Sequence, residues 1–312
     1  MITATKNFLL IAAIAFWSGE VVAAPCCSAN AASPALISGD DSAQLTLMTG
    51  QSTTIGDAFA DGLPVFRAGN DREISQTLRI DGAFLVSDRW QLGGSLPLLR
   101  HAIARPGIDD SATSLGDVRL NAAYEFLPEW SYSKWKPKGL LFAQIILPTS
   151  RSIYESTAPG GVDSLGQGFF IVAAGSLLLK RWGNFDSYFM PEIHYSFARD
   201  FHNSDLGEAI HVGPNWGGSA ALGAGISPGG GNFRLGVRVQ PMIADRKKVT
   251  SSTGDSWTSY QLSWDTALEA SYLVADDWSV TAGYTDQTLL GPAVNSMLSR
   301  TFTLAVQKRW AR

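Results

Sequence analysis

The sequence predicts an all-β protein, a single antiparallel up-and-down transmembrane barrel of about twelve strands. Three observations predict it: side chains alternate with a period near two from residue 42 onward, the alternating segments are long and even in number, and the links between them are short and long by turns. Composition narrows the alternatives. Of 312 residues, 17% are charged and 45% hydrophobic, which excludes a disordered chain. A net charge of −4 with no Lys/Arg cluster excludes nucleic acid as a partner. No uncharged apolar run of about 18 residues follows the first 25 positions, so the chain is not a helical membrane protein.

Taken in order, the chain opens with Lys6, an apolar stretch from Phe8 to Trp17, and Val21-Val22-Ala23-Ala24, the three regions of a secretory signal peptide over 1–24. Residues 25–41 then form a periplasmic N-terminal segment and 42–312 the barrel. The two cysteines, Cys26 and Cys27, are adjacent and build no disulfide framework. Besides a silent tether, a vicinal or intermolecular disulfide or soft-metal capture stays open for them. No cofactor is implied.

The strands are expected at 42–49, 76–86, 90–99, 115–126, 139–149, 167–180, 186–198, 213–226, 233–244, 258–273, 278–286 and 299–310. In the clearest, Leu262, Trp264, Thr266, Leu268, Ala270 and Tyr272 alternate with Ser263, Asp265, Ala267, Glu269 and Ser271. Ser42 to Thr49 alternates least well. Most segments reach the roughly 9–11 residues a tilted strand needs to cross a bilayer. The even-numbered links are 87–89, 127–138, 181–185, 227–232 and 274–277, and four of these five are tight; the odd-numbered ones, 50–75, 100–114, 150–166, 199–212, 245–257 and 287–298, all exceed ten residues. Outer-membrane barrels have that asymmetry, with both termini on the periplasmic side. Trp90, Trp182, Trp278 and Trp310 fall at the short-turn end, where an interfacial belt belongs; Trp216, Trp257, Trp264, Tyr195 and Phe197 fall towards the other rim.

With the apolar face in lipid, the polar face lines a lumen. Its candidates are Arg79, Asp81, Asp117, Arg119, Glu125, Glu192, His194, Arg234, Arg238, Asp265, Glu269 and Arg309, five positive and six negative with His194 neutral. Near balance argues against a strong single-sign field and for ion pairs across neighbouring strands. Arg119, Arg234 and Arg238 are the candidates for orienting a polar or anionic end of a solute, alone or by meeting across the lumen.

Ser114-Leu115-Gly116-Asp117-Val118-Arg119-Leu120 at one strand start and Ile146-Leu147-Pro148-Thr149-Ser150 at the next strand end resemble the outer-membrane proteins linked to meta-pathway phenol degradation. Those proteins usually carry a glycine where Ser150 stands. The resemblance covers two strands directly and the rest by spacing. It implies an outer-membrane channel or transporter for small, often hydrophobic or aromatic, solutes, with no catalytic residues to carry over. The partners expected are therefore a small-molecule solute and outer-membrane lipid.

Two other classes compete. Six long loops fit a structural or adhesive barrel. His202 and Ser204, two apart on one face, are similar to the pair in outer-membrane phospholipase A barrels, but Asp205 follows Ser204 where that family continues Ser-Asn-Gly. In the same loop Asp200, His202, Asp205, Glu208 and His211 have the ligand types for a divalent cation, a pattern polar loops also produce; no metal site is assigned. The glycine-rich 227–232 precedes no helix and reads as a turn.

Overall fold

The computed structural model describes residues 34–129, 133–203, 207–229, 232–252 and 254–312. The signal-peptide segment, Cys26, Cys27, Ser204 and Asp205 lie outside them. Twelve antiparallel strands form the barrel: β1 Asp41–Ala58, β2 Arg72–Leu85, β3 Trp90–Arg105, β4 Val118–Leu127, β5 Lys138–Leu147, β6 Ile171–Trp182, β7 Phe185–Ser196, β8 Asn215–Ile226, β9 Phe233–Ala244, β10 Gln261–Ala275, β11 Trp278–Asp286 and β12 Ser296–Ala311. Each pairs with its neighbours in sequence, and β12 returns to β1, from Asp41 opposite Ala311 to Ala58 opposite Ser296. Closure leaves no unpaired edge, the condition for β-structure in hydrocarbon, where stranded backbone groups find no water.

Alternation sorts the side chains. On β10, Leu268 and Tyr272 are 56% and 53% exposed on the outer wall, while Asp265 is 7% exposed inside. On β2, Leu78 and Ile80 face out and Arg79 faces in. Trp90, Trp278 and Trp310 are exposed at the short-turn end, as an aromatic belt requires. Trp216, also exposed, packs 4.7 Å from Tyr195 near the opposite rim.

The first strand is longer than its sequence suggests. Ser42–Thr49 was the weakest expectation, yet β1 continues to Ala58 because β12 and β2 supply partners on both sides through Thr54. Ser114 and Leu115 belong not to β4 but to a short strand, Ile108–Leu115, that folds back on β3 where β4 has not begun. Residues 167–170 likewise precede β6, since they belong to a loop inside the barrel. Two further long loops pair with each other. Strands Arg199–Asn203, Glu208–Val212, Lys248–Ser251 and Gly254–Trp257 form a separate four-stranded sheet at the long-loop end.

Candidate solute site in the barrel lumen

Chain segments enter the lumen from both ends. At the short-turn end, residues 35–37 run along the inner wall before β1. Backbone groups there would be stranded without partners, and inward amides supply them: Gln91 accepts from Ile37 N at 2.6 Å and donates to Ile37 O at 3.2 Å, Asn121 donates to Ala35 O at 2.9 Å, and Gln44 donates to Leu36 O at 2.9 Å. Leu36 is buried against Ala123, Leu140, Phe142, Leu177, Met190 and Ala221, an apolar layer across that half of the barrel.

From the other end the loop between β5 and β6 turns inward, and the Gly-Asp and Leu-Pro-Thr motifs hold it. Thr149 Oγ1 donates to Gly116 O at 2.8 Å and accepts from Val118 N at 3.0 Å, pinning the end of β5 to the start of β4. The Asp117 carboxylate then accepts three backbone N–H groups of the loop: Ser150 at 3.1 Å, Gln167 at 2.7 Å and Gly168 at 3.4 Å. Position 166 must be glycine for this approach, because a Cβ there would sit 2.6 Å from Ser150 Cβ and 2.7 Å from both Asp117 oxygens. Farther along the loop, burial pushes the Asp163 carboxyl up, but hydrogen bonds from Ser156, Arg151 and the Thr157 and Ala158 backbones outweigh it and hold the group at about 2. Phe169 closes the loop by stacking edge-on against Phe201, 5.1 Å away in the four-stranded sheet.

Two cavities flank Gln167. One, of about 340 Å³, is lined by Arg79, Ser95, Asp117, Arg119 and Ile146; the other, of about 360 Å³, by Tyr154, Glu192, His194, Ser219 and Lys247. Both fall in the range of small-molecule sites.

The sequence candidates divide between these cavities and a separate brace. Arg79 pairs with Asp81 at 2.8 Å, and the charges acting on Arg119 are Arg79, Glu192, Asp81 and Asp117. Glu192 and His194 lie 3.7 Å apart beside the second cavity. Arg234 and Arg238 do not meet Arg119: they are held on their own wall, Arg234 by a two-bond pair with Asp186 at 2.8 and 2.6 Å, and both by Glu269 at 3.9 and 3.7 Å. Arg234 reaches Asp186 on β7 over β8 because position 225 is glycine; a Cβ there would lie 2.4 Å from the guanidinium. Asp265 accepts from Gln287 at 2.9 Å. Glu125 and Arg309 pair at the short-turn end with Lys138 (3.6 Å) and Asp41 (3.9 Å).

Sequence reading missed several of these groups. Asp186 directly follows a turn, and only its inward parity with Tyr188 marks it as a lumen charge. Gln91, Asn121 and Gln44 are neutral, so charge does not mark them as lumen groups. Pro34-Ala35-Leu36-Ile37 offered the one signal for the lumen insert, an apolar run just before an amphipathic strand. At the long-loop rim, Arg67 and Arg105 converge with Asp57, Asp71 and Glu73, and His101 meets Glu73 at 3.2 Å. In the loop that carries metal-ligand residue types, His211 Nδ1 lies 2.6 Å from Asp200 across the hairpin, and no metal-ligating cluster forms among the described residues. His202 is exposed on that hairpin.

No protein-family model matches the chain, and neither does any curated protein sequence. Among solved structures, the COG4313 outer membrane channel of Pseudomonas putida F1 matches with a TM-score of 0.67 at 12% identity, over 91% of this chain and all of that one. The NanC porin (TM-score 0.45, 8% identity, 85% of this chain and 98% of that one) and the Pseudomonas putida toluene transporter TodX (0.45, 11%, 87% and 90%) resemble it less. In its twelve-stranded closed barrel, the chain has the fold of outer-membrane channels.

Proposed function

We propose that the protein is an outer-membrane channel for small solutes, apolar or aromatic in body, that pass through the two cavities beside Gln167. One observation carries this reading: a loop folded into the lumen and fixed by Asp117 constricts the barrel without filling it, leaving solute-sized spaces with both charged and aromatic walls. The lining residues then divide the work. Tyr154, Leu99 and Ile146 offer apolar contact, while Arg79, Asp81, Asp117, Arg119, Glu192 and His194 set the polar field; Arg234, Arg238, Asp265 and Glu269 brace the wall. The fold shared with the Pseudomonas putida channel supports passage as the role. Liposome swelling tests it with benzyl alcohol, toluene and small sugars as solutes. Faster permeation of the aromatic solutes than of sugars of equal size is expected, and a barrel impermeable to every solute refutes the reading.

The four-stranded sheet at the long-loop end favours a second reading, a barrel that binds partners at the cell surface. Its edge strand Gly254–Trp257 exposes Trp257. Deleting 248–257 removes surface binding on this reading and leaves permeation unchanged.

A further inference from the structure

Lys247 is a largely buried cation beside the larger of the two lumen cavities. It lies in the turn after β9, its Nζ 3.9 Å from the centroid of the Phe169 ring. No carboxylate among the described residues comes within ion-pair distance of it, and burial alone pushes its ammonium down to about 8. The neighbouring charges are otherwise engaged: Glu192 faces His194, and Arg199 is held by Gly168 O and Glu155. The same cavity has a second unmet group. Ser196, 2% exposed, borders it, and its Oγ has no hydrogen-bond partner among the described residues. A buried cation and an unsatisfied hydroxyl bordering one space of about 360 Å³ call for an acceptor with charge.

We infer that this cavity binds a small organic monoanion, its carboxylate taken by Lys247 and the Ser196 hydroxyl and its apolar or aromatic body set against Tyr154 and Met242. The inference rests on the small-solute reading above and names the solute class. Glu192 and Asp245 on the remaining walls repel a second negative charge, which selects monoanions over dianions. Binding is strongest where Lys247 is protonated and the carboxylate ionised. The other titratable groups lining the cavity are Tyr154, Glu192, His194 and Asp245.

The test uses the full-length protein in detergent with benzoate and its neutral counterpart benzyl alcohol, by calorimetry at pH 7 and pH 9, with permeation of both measured in liposomes. Benzoate should bind at least tenfold tighter than benzyl alcohol at pH 7 and lose most of that advantage at pH 9. Lys247→Met should abolish the difference, and Lys247→Arg should retain it at pH 9. Equal binding of the two probes, or a benzoate affinity unchanged by Lys247→Met or by pH, overturns the inference. Permeation without Lys247-dependent binding overturns the site and leaves the channel standing; binding without permeation of any solute overturns the channel and leaves the site.

Discussion

Asp117→Ala probes the constriction most directly. The carboxylate is buried and accepts three loop N–H groups, of which the bonds at 3.1 and 2.7 Å are short enough to count in full. At about 1.5 kcal/mol for each bond to a charged acceptor, the substitution removes roughly 3 kcal/mol from the inward loop, a factor of about 100 in its inward-to-outward ratio. The β4–β5 junction itself survives, because Thr149 rather than Asp117 ties the end of β5 to Gly116 and Val118. Asp117→Asn keeps the shape and one acceptor oxygen, so its shift should be nearer tenfold. Single-channel recording in planar bilayers reads this as a rise in the time spent at high conductance, ordered wild type, Asn, Ala. Should the alanine variant fail to assemble, the asparagine variant still reports the order. Traces from both variants superimposable on wild type, with equal heat resistance of the folded barrel on gels, would show that Asp117 does not hold the loop.

Other perturbations reach other parts of the barrel. Leu268→Arg, on the outer wall, should cost about 2–4 kcal/mol and impair assembly, whereas Glu269→Gln, whose contacts to Arg234 and Arg238 are long at 3.9 and 3.7 Å, should cost less and let the barrel assemble; tolerance of the arginine with loss at 269 would reverse the two faces of β10. Asp186→Asn removes the two-bond carboxylate from buried Arg234 and leaves it the longer contact to Glu269, which should cost about 3 kcal/mol, read as a lower unfolding temperature. Leu36→Asp sets a charge in the apolar layer around Ala123 and Phe142 and should displace residues 35–37, raising conductance; unchanged conductance with a normally folded barrel argues that these residues do not limit passage. The Asp163 carboxyl is held low in the folded loop, so the order it lends is fully present above the usual carboxylate range near pH 4 and is lost as pH falls towards 2. Open time should rise over that interval and not between pH 5 and 7.

The barrel was legible because its forces repeat. A lipid-facing strand must alternate, so each of the twelve carries its own signature, and Leu268, Tyr272, Asp265 and Glu269 declared their faces unaided. Strand ends were less clear, since pairing and not composition extends β1 past Thr49 and gives Ser114 and Leu115 to the hairpin on β3. The motif at Gly116-Asp117 and Pro148-Thr149 was visible as a pattern, but its use was not: sequence shows neither that the two ends touch nor that Gly166 brings a loop onto Asp117. Likewise Arg234 and Arg238 read as solute contacts because their carboxylate partners, Asp186 on another strand and Glu269 opposite Gly236, are adjacent only once register is known.

The seam between β1 and β12, the longest of the barrel's pairings, joins the two ends of the strand order. Bringing those ends together across some 270 intervening residues costs roughly 5 kcal/mol of chain entropy, so the seam has reason to form late, after the intervening hairpins have zipped. Residues 35–37 lead straight into β1, and Gln44 of that strand holds Leu36. Lumen filling and wall closure are thereby placed on one short stretch of chain. Gln44, Gln91 and Asn121 lie on β1, β3 and β4, within the first four strands of the order, so this stretch has its hydrogen-bond partners in place before the two ends of the barrel join.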